Sequence, residues 1–153
     1  MKVVIRKFRK KDAIKAGNAV KAAIRGTLKS YYPKKVLDGF YKANNPKRFL
    51  ERAANRQFFV AETGRKIIGV IALKEDDIRT FYVRPEYQRM GIGRKLFERF
   101  KKEAIKNKCK KVFVDSSTYA VPIYKALGFR RVKTIRKAID GEQYSVVQME
   151  LKF

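Results

Sequence analysis

Two glycines two residues apart, flanked by arginines and following a β-branched run, form the stretch of this chain best equipped for chemistry: Tyr87-Gln88-Arg89-Met90-Gly91-Ile92-Gly93-Arg94. A strand that enters a glycine-containing loop and then a helix leaves backbone N–H groups without partners. The helix dipole adds partial positive charge at the same place. Together they make an anion site, best suited to phosphate. Gly91 and Gly93 allow close backbone approach, and Arg89 and Arg94 add charge. Taken alone, Gly-x-Gly is also a tight turn without a ligand, because glycine serves backbone geometry first. The spacing is not that of a P-loop, and Gly91-Ile92-Gly93-Arg94-Lys95-Leu96 ends in Leu where a dinucleotide fingerprint needs Gly.

The rest of the reactive inventory is narrow. The chain has no His and a single Cys, Cys109, so Ser-His and Cys-His nucleophile pairs are excluded, as are most zinc sites. No metal and no disulfide within the chain are expected, and Cys109 reads as a small buried residue without chemistry. Acid–base work must rest on Asp, Glu, Tyr, Lys or water. The charge is +25, from 39 basic and 14 acidic residues. A field of this sign attracts nucleic acid, phosphorylated metabolites or an anionic cofactor, although it also suits a merely solvated basic surface.

Around these residues the chain supplies an ordinary globule. At 153 residues and 45% hydrophobic, it is expected to form one continuous domain over 1–153. The longest apolar run, Ile67–Leu73, is far short of a membrane span, and the N-terminus lacks the pattern of a signal peptide. A cytoplasmic protein without a membrane partner is the expectation.

Periodicity places the elements. Val3–Phe8 reads as a first strand. Asp12 is the expected N-cap of a helix with Ile14, Val20, Ala23, Ile24 and Leu28 on its apolar face. Pro33 and Pro46 each open a short helix, the second running to about Asn55. Phe58–Glu62 and Ile67–Leu73 read as strands joined by the turn Thr63–Lys66, and Asp77–Val83 as a further strand ended by Pro85. From Ile92 the period is helical, with Ile92, Leu96, Phe100 and Ala104 on one stripe and Glu98 paired to Lys102 outside. Lys111–Asp115 is a strand, Val121–Leu127 a short helix closed by Gly128, and Arg130–Ala138 with Tyr144–Leu151 an antiparallel pair around Asp140-Gly141. The order β-α-α-β-β-β-α-β-α-β-β predicts an α+β fold: a mixed, largely antiparallel sheet with helices on both faces.

At this point the chain resembles the Gcn5-related N-acetyltransferases. Their signature Gln/Arg-x-x-Gly-x-Gly/Ala is met by Gln88-Arg89-Met90-Gly91-Ile92-Gly93, and Tyr82–Tyr87 is similar to the strand end that precedes it. Ala120–Phe129 is similar to the downstream segment Ala-x-x-Phe-Tyr-x-x-x-Gly-Phe. The resemblance covers essentially the whole chain in the right order.

The resemblance implies acetyl-coenzyme A as acyl donor and an amine as acceptor. Gln88, Arg89, Met90, Gly91, Ile92, Gly93 and Arg94 would hold the pyrophosphate. Phe81, Tyr82 and Val83 would hold the pantetheine arm along an open strand edge, a form of strand addition. Ser117, where members often have Asn, could still bind that arm. Tyr124 takes the place of the family's general acid, against the plainer reading of a ring packed in the core. Asp77 aligns with a strand Glu used as base, although Glu75, Asp76 and Asp77 also suit a solvated turn. Tyr31 and Tyr32, beside Pro33, would wall the acceptor pocket. With so few acids to draw a polycation, the charge balance favours an anionic or nucleic-acid-associated acceptor. A basic nucleic-acid-binding protein on the same scaffold and a transferase of longer acyl-CoA are the alternatives. The oligomeric state stays open, a homodimer included.

Overall fold

The computed structural model describes residues 1–153. Its framework is a seven-stranded sheet in the order β1-β2-β3-β4-β5-β7-β6. The strands are β1 (Val4–Lys7), β2 (Gln57–Thr63), β3 (Lys66–Lys74), β4 (Asp77–Val83), β5 (Lys111–Ser116), β6 (Arg130–Ile139) and β7 (Glu142–Lys152). Every neighbouring pair is antiparallel except β4 and β5, which run parallel. The helices are α1 (Ala13–Ala23), α2 (Lys34–Lys42), α3 (Pro46–Ala53), α4 (Ile92–Lys106) and α5 (Val121–Ala126). This is the mixed, largely antiparallel α+β architecture that the periodicity predicts.

Alternation along the central strands builds a core on each face of the sheet. Phe59, Ala61, Ile71 and Leu73 pack with α4 residues Leu96, Phe97 and Phe100 and with Tyr124 of α5. Phe58, Val60, Val70 and Ala72 pack with α1 residues Ala16, Ala19 and Val20 and with Phe49 of α3. Three register shifts interrupt the ladders, one at Val132 of β6 and two on the strands around β3. Ile68 of β3 is skipped where Ala61 pairs with Gly69 and Glu62 with Ile67. Arg79 of β4 is skipped where Ala72 pairs with Thr80 and Leu73 with Ile78. The bulge at Arg79 lies at the strand that must carry the site.

Several local expectations change. Asp12 makes no capping bond to α1. Its carboxylate accepts from both terminal nitrogens of Arg6 at 2.8 and 3.0 Å and from the Arg9 N–H at 2.7 Å. Arg6 also bonds Glu62 of β2 at 2.9 Å, so a partly buried ion triad ties the first turn to the sheet. Ile14 is 62% exposed, while Val20, Ala23, Ile24 and Leu28 are buried. The reason is geometric: α1 docks on its Ala16–Val20 side, leaving Ile14 on the outer side. After Ala23 the helix widens into a π turn over Ile24–Leu28. Pro33 stands at the N-cap of α2, and Pro46 opens α3 with Asn45 accepting from the Arg48 N–H at 2.9 Å. On α4 the outer ion pair is Arg99–Glu103 at 3.1 Å, not Glu98–Lys102. Gln57 also bonds Glu103, which draws that carboxylate to the sheet side. The stripe Ile92, Leu96, Phe100 and Ala104 is buried as its spacing predicts.

Candidate functional site

The site begins where the sheet opens. β4 and β5 are paired only at Asp77–Phe113 and Ile78–Val114, and beyond Ile78 they diverge. On its other side β4 stays paired to β3 as far as Val83, and the Arg84 N–H donates to the Ile68 carbonyl at 2.8 Å. In an antiparallel ladder alternate residues turn their peptide groups to opposite sides. Tyr82 and Thr80 therefore share the β3 side with Arg84, and the peptide groups of Phe81 and Val83 face the gap. The Val83 carbonyl accepts from Gln88 Nε2 at 3.0 Å. What remains is a short open edge, able to pair with an extended amide-bearing chain.

The strand then turns through a 3-10 turn at Pro85–Tyr87 into the loop before α4. Gly91 stands at the N-cap of α4 with φ +80, and no side chain caps the helix. The first helical donor is Lys95, to the Gly91 carbonyl at 3.1 Å. The N–H groups from Arg89 to Arg94 have no acceptor of their own in the chain. A Cβ on Gly91 would meet nothing within 4 Å, and one on Gly93 would approach Phe81 and Val83 at 3.8 Å. This is a cradle of unpaired donors at a helix N-terminus, open on the side facing β4. It fits a diphosphate.

Cradle and edge share a cavity of about 500 Å³ lined by Phe81, Tyr82, Val83, Gln88, Arg89, Gly91, Gly93, Arg94 and Tyr124 among others. Tyr124 is 6% exposed, its ring held edge-on by Phe129 at 5.4 Å and by Phe81 at 6.1 Å. Burial, with the Tyr82 phenol nearby, raises its pKa far above the usual phenol range. Burial likewise pushes Tyr82 up to about 12. Both phenols hold their protons at every physiological pH and serve there as donors, not bases.

A smaller cavity of about 130 Å³ adjoins the first in the splay and shares Thr27, Phe81, Tyr82, Tyr119, Ala120 and Tyr124 with it. Its own walls include Arg79, Thr80, Asp115 and Ser117. The Ser117 hydroxyl accepts from the Ala120 N–H at 3.2 Å and so helps shape the turn into α5.

The other expected site residues stand apart from the large cavity. Met90 is 57% exposed, while the Ile92 side chain is buried beneath α4, so that both offer only their peptide groups. Asp77 lines neither cavity; it faces Arg79 at 3.3 Å, and burial raises its pKa against the pull of that arginine. Tyr32 packs edge-on against Phe40 and Tyr144, with burial raising its pKa to about 12. Tyr31 is 48% exposed and reaches the cavity wall only through the Tyr119 ring, 5.2 Å away. Thr27, at the head of the segment Thr27–Pro33 expected to frame the acceptor, lines both cavities. Sequence reasoning passed over Arg79, Asp115 and Tyr119; the first lies at the bulge, which a regular period does not reveal. The Tyr119-Ala120 step before the second motif was the one usable signal.

Comparison with known proteins agrees with this geometry. The family model described as an acetyltransferase (GNAT) domain matches residues 27–153. The uncharacterized N-acetyltransferase YafP of Escherichia coli is 28% identical over 130 residues, covering 85% of this chain and 83% of that protein. A GCN5-related N-acetyltransferase from Rhodopseudomonas palustris superposes with a TM-score of 0.93 at 21% identity, over 100% of this chain and 97% of its own. The PaiA N-acetyltransferase from Thermoplasma acidophilum, solved in complex with coenzyme A, gives 0.83 at 17% identity with both chains fully covered. Signature, splayed sheet, donor cradle and family match converge, and the chain belongs to the Gcn5-related N-acetyltransferase family.

Proposed function

We propose that this protein transfers an acetyl group from acetyl-coenzyme A to a primary amine, by direct attack while both substrates are bound. The observation that carries this reading is the junction of three features in one cavity: unpaired N–H groups, an open β4 edge and a protonated, buried phenol. When bound, acetyl-coenzyme A supplies an activated thioester. The N–H groups of Arg89 to Arg94, with both arginine side chains, would hold its diphosphate. The Phe81 and Val83 peptide groups would hold its amide-bearing arm, and an N–H of that edge would stabilise an oxyanion.

Tyr124 would give its hydroxyl proton to the departing sulfur and recover one from solvent. The amine must arrive neutral to attack, and the proton it loses afterwards passes to water. With Asp77 outside both cavities and engaged by Arg79, we assign it no role as base. Ser117 and Tyr119 line the side from which an acceptor can enter, with Tyr31 behind Tyr119.

Titration calorimetry with coenzyme A, followed by thiol release across a panel of amines, tests the reading. Binding heat plus amine-dependent thiol release is the expected result. Well-folded protein that binds no coenzyme A species would overturn it.

A further inference from the structure

The outer face of α1 is basic along its whole length, and no carboxylate neutralises it. The chain is helical without a break from Lys10 to Leu28, through a 3-10 turn, α1 and the π turn. Ala13, Ala16, Gly17, Ala19, Val20 and Ala23 are buried on the sheet side. On the opposite side Lys11, Lys15, Asn18, Lys21, Arg25 and Lys29 recur every three or four residues, the spacing that keeps side chains on one helix face. All are exposed except Lys21, which is half-buried. From Lys11 to Lys29 the row is about 27 Å long and carries five positive charges.

The surrounding layer shares the imbalance. Residues 1–56, which form β1 and α1 to α3, hold 17 of the 39 basic residues but only three of the 14 acidic ones, Asp12, Asp38 and Glu51. Asp12 is already held by Arg6. On α1, the π turn, α2 and α3 the one cation paired to a carboxylate is Lys35, to Glu142 at 3.6 Å. Elsewhere Asp77, Glu86, Glu103, Asp115 and Glu150 each have a basic partner. Surface ion pairing therefore accounts for cations over the rest of the molecule and not for these. Two cations of the row are also held in place. Lys21 Nζ and the Arg25 guanidinium lie over the Tyr41 ring of α2 at 5.1 and 5.0 Å, and Arg25 donates to the Tyr41 hydroxyl. Cations fixed on a ring lose less freedom when an anion binds them.

Five charges spread over that length suit a polymer of regularly spaced phosphates, not a single small anion. A lipid surface fits poorly, because α1 turns its apolar side to the sheet and exposes outwards only Ile14 among large apolar residues. Unpaired bases fit poorly too, since Tyr41, the ring against the row, is already engaged by its two cations. With Asn18 alone on this face able to read a base edge, the contacts are to the backbone and carry no sequence information. We propose that the outer face of α1, from Lys11 to Lys29, docks the phosphate backbone of a nucleic-acid duplex without regard to its sequence. This surface is separate from the donor cradle, whose cations are Arg89 and Arg94, and it stands whether or not the chain transfers acetyl groups. The row ends just beyond Thr27 of the cavity wall, so the surface reaches the rim of the cleft.

The test is fluorescence anisotropy with a labelled duplex of random sequence, as DNA and as RNA, from about 50 to about 200 mM salt. Five cations on five phosphates predict a slope of about −4.5 in log affinity against log salt. Which duplex binds separates DNA from RNA, and a second, unrelated sequence should bind alike. Lys21→Gln, Arg25→Gln and Lys29→Gln together should flatten the slope by about 2.7, and Lys29→Gln alone by about 0.9. The same number of changes on α4, Lys101→Gln, Lys102→Gln and Lys106→Gln, should leave the slope near that of the unaltered protein. All the replaced side chains reach solvent, so both triple variants should keep the fold, which a circular dichroism melt checks. No duplex binding, binding indifferent to salt, an equal loss from the α4 variant, or displacement of the duplex by saturating coenzyme A overturns the surface. Tighter binding to phosphatidylserine vesicles than to either duplex overturns it as well.

Discussion

Replacing Gly91 by alanine separates the backbone role of this residue from its proposed role in the cradle. Gly91 has φ +80, and a Cβ there meets nothing within 4 Å. Gly64, in the turn between β2 and β3, has φ +58 and the same empty surroundings. An L-residue in the left-handed region costs about 1 kcal/mol. For a chain of this size that is a fall of about 3 °C in melting temperature. Both alanine variants should show this cost, because neither Cβ clashes with the protein. Only at Gly91 does the added methyl enter the space a diphosphate would occupy. Losing one or two charge-assisted bonds there is worth about 2 kcal/mol, or roughly thirtyfold in affinity. Calorimetry with coenzyme A should therefore find Gly64→Ala unchanged and Gly91→Ala weakened by that order. Equal affinities in the two variants would refute the cradle, since strain alone is common to both.

Three further outcomes follow from the same geometry. Tyr124→Phe removes only the hydroxyl, so turnover with any accepted amine should fall by about 100-fold or more while coenzyme A affinity holds; unchanged turnover across pH would take Tyr124 out of the mechanism. Arg6→Met leaves Asp12 buried without its partner and should cost about 3 kcal/mol in urea denaturation at neutral pH. Arg6 holds the Asp12 and Glu62 pKa values below the carboxylate range, so their contribution is present above the unfolded values and lost as pH falls through the folded ones; the gap to wild type should shrink near pH 3. At alkaline pH, Tyr32, Tyr82, Tyr124 and Tyr144 all have raised pKa values. Stability should thus hold up to about pH 10, where the unfolded phenols ionise, and fall above it; a flat melting temperature to pH 12 would contradict their burial.

Much of the architecture was legible because its determinants are local. The bounds Asp77–Val83 follow from a β-branched run stopped by Pro85, and α4 from a clean apolar stripe. Gly91 announced its turn through a backbone requirement that only its own position sets. The misreadings share a non-local cause. Asp12 looks like a cap until β1 and β2 bring Arg6 and Glu62 beside it. Ile14 fits the apolar period of α1, yet the docking angle of the helix decides which side meets the sheet. Glu103 is drawn towards Gln57, across 46 residues of chain. The acceptor side suffers most, since Arg79 of β4, Asp115 of β5 and Tyr119 in the turn before α5 converge only when the sheet splays. Arg79 reads as one more surface cation; it stays exposed, yet the bulge at its own position sets it on the wall of the smaller cavity.

The most direct test of the donor cradle is a titration of isotopically labelled protein with coenzyme A, followed by amide resonances. The account predicts the largest shifts at Gly91, Ile92, Gly93 and Arg94, with Phe81 and Val83 moving alongside them and Gly64 still. Coenzyme A that leaves the amides from Arg89 to Arg94 in place, whether unbound or bound elsewhere, would contradict it.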